Sequence, residues 1–95
     1  MKTIEKFPYI FGSKEKFKKL YNDLNEIQFP IEIIKKYIFY ESNRWDLETI
    51  DGKVIRLPST EYLKSLKNYL DIKEKNDFKN YNVFDYRINN QLILK

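Results

Sequence analysis

The sequence predicts an α+β fold, an antiparallel sheet of about five strands with helices packed on one face, in the order ααβββαββ. Three observations carry it. Arg44 to Pro58 alternates apolar and polar residues on both sides of Asp51-Gly52, the pattern of two antiparallel strands closed by a tight turn. Val83 to Lys95 repeats the device across Ile88-Asn89-Asn90. Between and before these stretches, apolar residues recur three and four apart, the period of helices that bury one side.

The elements follow in order. Ser13 caps a first helix that runs to about Ile27, with Phe17, Leu20, Leu24 and Ile27 inward and a polar remainder that includes Lys14, Lys16, Lys18 and Lys19. Pro30 suits the first position of a short second helix, with Ile31, Ile34 and Tyr37 inward. Ile38 to Glu41 then reads as a short strand that leads through Ser42-Asn43 into the tryptophan strand.

The register of the first hairpin follows from compatible side chains. A three-residue loop, Ile50-Asp51-Gly52, with Gly52 left-handed, pairs Thr49 with Lys53, Leu47 with Ile55 and Trp45 with Leu57, and sets Asp46 opposite Arg56. A two-residue loop would oppose Asp46 to Leu57 and Glu48 to Ile55, so the bulged register is preferred. Trp45, Leu47, Ile55 and Leu57 thereby share the core face. A third helix follows Pro58, capped by Ser59 or Thr60 and packed through Leu63, Leu66 and Leu70, and residues 73 to 81 form a loop or a single turn. In the last hairpin Phe84 pairs with Leu94 and Tyr86 with Leu92, and Asn90 takes the left-handed position.

Composition narrows the function. Ninety-five residues make one domain with a modest core. A net charge of +4, from 18 basic and 14 acidic residues evenly mixed, does not imply a polyanionic partner. No stretch reaches the length of a membrane span. With no His, no Cys and no phosphate-binding glycine loop, an enzyme, a cofactor or a small-molecule ligand has no support, and no acidic spacing suggests a metal. Asp46 and Asp85 each have an Arg nearby in sequence and read as surface ion pairs. Lys14, Lys16, Lys18 and Lys19, with Phe39, Tyr40 and Tyr86 as stacking surfaces, offer an alternative reading as a small nucleic-acid-binding domain. Acidic residues interrupt each basic run, and a solvated helix face explains those lysines better.

The last strand is β-prone and its outer edge has no evident partner in the sequence. Such an edge is blunted or used. Addition of a partner's strand is the expected use, through main-chain groups of residues 91 to 95, with outward Gln91, Ile93 and Lys95 giving selectivity and Ile93→Pro as the natural disruption. Burial by packing or by a self-dimer is the competing reading.

Arg44-Trp45-Asp46-Leu47, Asp51-Gly52, Arg56-Leu57-Pro58, a helix, and Asp85-Tyr86-Arg87 before a final apolar strand resemble the C-terminal part of the bacterial cell-division protein family FtsQ/DivIB. Phe7-Pro8-Tyr9-Ile10-Phe11-Gly12 is similar to the entry of the same region, so the resemblance spans nearly the whole chain; Phe84 and Tyr86 stand where the family more often has smaller aliphatic residues. The resemblance implies a non-catalytic scaffold of the divisome at the periplasmic face of the inner membrane. Its membrane span and membrane-proximal domain would lie outside these 95 residues, membrane contact coming only through that anchor. It further implies recruitment of an FtsB–FtsL-like complex, FtsB extending the sheet beside the final strand. On this chain the implied contact residues are Arg87, Ile88, Asn89, Asn90, Gln91, Leu92, Ile93, Leu94 and Lys95, while Trp45, Leu47, Gly52, Ile55, Leu57, Phe84 and Tyr86 hold the framework.

Overall fold

The computed structural model describes residues 8–88 and 91–95. Six strands form one sheet in sequence order: β1 (Tyr9–Phe11), β2 (Ile34–Tyr40), β3 (Arg44–Thr49), β4 (Val54–Arg56), β5 (Val83–Asp85) and β6 (Ile93–Leu94). Two helices, α1 (Lys14–Glu26) and α2 (Tyr62–Ile72), cover one face. The sheet is mixed, correcting the antiparallel expectation: β1–β2 and β4–β5 are parallel, and the other pairs antiparallel. Each parallel pair is joined by a helix, the connection that parallel neighbours require. Both crossovers step the same way along the sheet from strands of the same direction, so right-handed connections bring both helices to the same face.

β1 was not legible because three residues between Pro8 and Gly12 are too few for a period to show. The predicted second helix is a single 3₁₀ turn, Ile31–Ile33, after which β2 begins at once. A bulge explains the misreading. The register shifts between Ile34 and Lys36, so Ile34 and Tyr37 share the buried face although three residues apart. That spacing is the helical one.

Ser13 does cap α1, its Oγ accepting the Lys16 N–H at 3.2 Å. The helix ends with Gln28 left-handed at φ 59, the Phe29 N–H reaching the Leu24 carbonyl at 2.8 Å and the Gln28 N–H reaching that of Asn25 at 3.1 Å. α2 departs from expectation at its start: neither Ser59 nor Thr60 caps it, and Glu61, left-handed at φ 55, stands at the boundary without a side-chain cap. Its buried residues are Leu66, Tyr69 and Ile72, with Leu63 and Leu70 half-buried. Asp23 of α1 accepts a hydrogen bond from the Tyr62 hydroxyl and ties the two helices together.

The first hairpin has the bulged register, Asp46 opposite Arg56 and Leu47 opposite Ile55, with the Leu57 N–H donating to Trp45 at 2.9 Å. Trp45, Leu47, Ile55 and Leu57 are buried, and Trp45 packs between Phe39 and Phe17 with ring centroids at 4.9 and 6.2 Å. Gly52 lies at φ 87 with open space where a Cβ would project. A side chain there meets no neighbour and costs backbone strain alone. Gly52→Val should therefore destabilise the fold by at least about 1 kcal/mol, lowering Tm by about 4–8 °C. An unchanged denaturation midpoint would reject this account of the turn.

In the second hairpin Phe84 opposes Leu94 and Asp85 opposes Ile93, where the ladder ends, one pair short of the expected Tyr86–Leu92. Phe84 and Tyr86 are buried against α2. Phe84 meets the Tyr69 ring edge-on at 5.0 Å, and the Tyr86 hydroxyl donates to Asn68 at 2.8 Å. The expected left-handed Asn90 lies outside the described residues.

Candidate functional site

β6 closes one end of the sheet, and its hydrogen bonds decide which main-chain groups face outward. Lys95 exchanges two bonds with Val83, each 3.1 Å, so its N–H and C=O turn inward to β5. Antiparallel pairs alternate between bonded and non-bonded. Two residues back, Asp85–Ile93 is again a bonded pair, and Phe84–Leu94 between them is not. The N–H and C=O of Leu94 therefore point away from the sheet. Ile93, which sequence reasoning had chosen for disruption, has its N–H committed to β5. Counting back from Lys95 would have found this, but only once the bonded pair at its end was known.

The implied contact residues divide around this edge. Leu92, Ile93 and Leu94 are half-buried, Gln91 and Lys95 are exposed, and Ile88 is 51% exposed. Asn89 and Asn90 lie outside the described residues. Beside the edge, on the helix side of the sheet, is a cavity of about 250 Å³ between α2 and the turn, lined among others by Glu61, Lys64, Asn68, Tyr86, Ile88 and Leu92. Its α2 wall was not visible in the sequence, because nothing there links Asn68 to Tyr86.

On the opposite face the arginines are tied to carboxylates. Asp46 is only 4% exposed and Asp85 only 3%, which corrects the reading of both as surface pairs. Arg87 grips Asp85 through Nε and Nη2 at 2.8 and 2.6 Å, and its own N–H donates to the same carboxylate at 3.0 Å. That grip holds the Asp85 carboxyl below the usual carboxylate range despite its burial. For Asp46 the balance runs the other way. Burial pushes its carboxyl up, opposed by the Tyr40 hydroxyl donating at 3.1 Å and by the charges of Arg56, Arg44 and Arg87. Tyr40, whose ring also lies 4.9 Å from the Arg44 guanidinium, is a member of this cluster that sequence reasoning missed.

The four lysines of α1 do not form one stripe. Lys19 pairs with Asp23 at 3.0 Å and sits over the Tyr62 ring, on the flank facing α2. Helical spacing puts Lys16 on that side too, with Lys14 and Lys18 on the other flank. Among the described residues no group of three acidic side chains could hold a metal ion. No described helix is long and apolar enough to cross a membrane.

No curated protein matches the chain. A family model does: the one described as cell division protein FtsQ/DivIB, C-terminal, matches residues 2–87, all of the described sheet except β6. With the match covering most of its length, the chain belongs to the FtsQ/DivIB C-terminal domain family, a non-catalytic scaffold of bacterial cell division.

Proposed function

We propose that this domain recruits an FtsB–FtsL-like complex by accepting a partner strand along β6, on the periplasmic face of the inner membrane. The observation that carries the reading is the outward N–H and C=O of Leu94 at the end strand of the sheet. Main-chain pairing supplies affinity in such additions, and neighbouring side chains supply selectivity. Ile93 and Lys95 flank Leu94 on the face opposite the helices, and Leu92, two residues before it, lines the cavity together with Ile88 on the helix side. A partner strand seated there would bring the downstream wall-synthesis machinery to the division site. The nucleic-acid alternative finds less support, because the lysines it would use divide between two flanks of α1.

Calorimetric titration tests the proposal. The chain should bind the FtsB–FtsL-like complex, whereas oligonucleotides should bind only weakly and lose that binding at about 0.15 M salt. Ile88→Ser, which trims a side chain that is 51% exposed, should weaken the complex about tenfold with little change in Tm. Arg87→Glu is the poorer probe, since it would place a second carboxylate against buried Asp85. Partner binding unaffected by Ile88→Ser would exclude the turn from the contact. Oligonucleotide binding that persists in salt would favour the alternative.

A further inference from the structure

The sheet has a second margin, at β1, that the proposed function leaves unused. Tyr9, Ile10 and Phe11 are exposed by 64, 42 and 52%. A strand with one face on a core buries every second side chain, so three consecutive exposed apolar residues call for a partner. Pro8 lacks an N–H at the start of the strand, which blunts it as a template for another strand. Docking through side chains is the better use.

What surrounds these three residues defines the partner. Ile10 pairs with Tyr37 on the helix side, the Tyr37 ring lies 4.9 Å from Phe17, and Phe17 in turn lies 5.7 Å from the ring of exposed Tyr21. Lys14 and Lys18 share the flank of α1 that carries Tyr21 and faces away from α2. Lys36 places its ammonium 6.0 Å from the Phe11 ring and 3.8 Å from Glu48, and Lys35 is exposed beside it. Among the described residues Lys14, Lys18 and Lys35 have no ion pair. Seen edge-on, the margin is thus an apolar, largely aromatic rim, with Ile10 on the helix side and Tyr9 and Phe11 on the opposite face, fringed by the unpaired ammonium groups of Lys14, Lys18 and Lys35.

We propose that the margin formed by β1 and the outer flank of α1 docks on an anionic lipid bilayer. Tyr and Phe rings settle at the headgroup level, Ile10 reaches the acyl boundary, and the lysines meet lipid phosphate. Charge selects this occupant over a second copy, which would set Lys14, Lys18 and Lys35 against their own counterparts. The apolar strip selects it over a polyanion without acyl chains. Docking here would orient the domain on the membrane surface and leave β6, at the far end of the sheet, clear.

Co-sedimentation with vesicles tests it. The chain should partition onto phosphatidylcholine vesicles doped with phosphatidylglycerol and stay in solution with phosphatidylcholine alone. Lys14→Gln and Lys18→Gln should each lower the partition about fivefold. Both are exposed on a helix, so an unchanged melting curve keeps that comparison clean. Tyr9→Ser with Phe11→Ser should lower it further. Equal binding to neutral vesicles, or lysine variants that bind like the parent, would overturn the proposal. Self-association lost in the Tyr9→Ser, Phe11→Ser variant would replace it with a dimer. Displacement from the vesicles by oligonucleotide at about 0.15 M salt would replace it with a nucleic-acid site.

Discussion

Leu94→Pro should weaken binding of the FtsB–FtsL-like complex about a hundredfold or more, while Leu94→Val retains most of the affinity. The register assigns the Leu94 N–H to the open side of β6, where an arriving strand would accept it as its first main-chain bond. Proline removes that donor and places a ring where the strand must approach. A lost main-chain bond together with the obstruction is worth about 3 kcal/mol, which is the hundredfold. Leu94 also packs against the core, so both variants lose some burial, and valine measures that share by itself. Ile93→Pro behaves differently. It removes a bond inside the fold, to Asp85, and should lower Tm before it says anything about the partner. Calorimetry on variants that pass circular dichroism separates these cases. A folded Leu94→Pro variant that binds as tightly as the parent would sink strand addition at β6.

How much of this was legible in the sequence differs from element to element. The first hairpin was readable because Asp46, Arg56, Leu47 and Ile55 are compatible in only one register, and the turn residue confirmed it at φ 87. β2 was misread because a bulge gives a strand the spacing of a helix, and no residue type in Ile34-Lys35-Lys36-Tyr37 announces a bulge. β1 and the parallel pairing were missed together, since recognising β1 is what turns α1 into a crossover. The candidate edge belongs to the end strand of the sheet, but the outward amide there is that of Leu94, one residue from the Ile93 that the sequence reading chose for disruption. Period-two patterning says which face a side chain takes and is silent on which edge an amide takes. The back face hid most. Alternation puts Asp46 and Asp85 opposite the core and so predicts exposure, whereas Arg44, Arg87 and Tyr40 fold over them and exclude water.

That burial makes Asp46 the side chain whose loss should unsettle the sheet most for its size. Were it a surface pair, Asp46→Ala would cost less than about 1 kcal/mol. Buried, its loss leaves the Tyr40 hydroxyl without its acceptor and the charges of Arg44 and Arg56 without the carboxylate that offsets them, and the expected loss is about 3 kcal/mol, a fall in Tm of about 12–24 °C. Asp46→Asn keeps an acceptor for Tyr40 and should lose no more than about half as much. Acid adds a second reading. Asp85 and Asp23 have folded-state values below the unfolded one: burial raises Asp23, but Tyr62 and Lys19 outweigh it. Their stabilisation is complete above the unfolded value near 4 and is lost as the pH falls through their depressed values. Asp46, raised by burial, works oppositely: the folded state takes its proton first, so falling pH relieves a cost and offsets part of that loss. Removing this offset in Asp46→Asn should steepen the decline of stability between about pH 5 and 3 relative to the parent. Thermal melts across that range check both expectations, and an Asp46→Ala loss below about 1 kcal/mol would return the carboxylate to the surface.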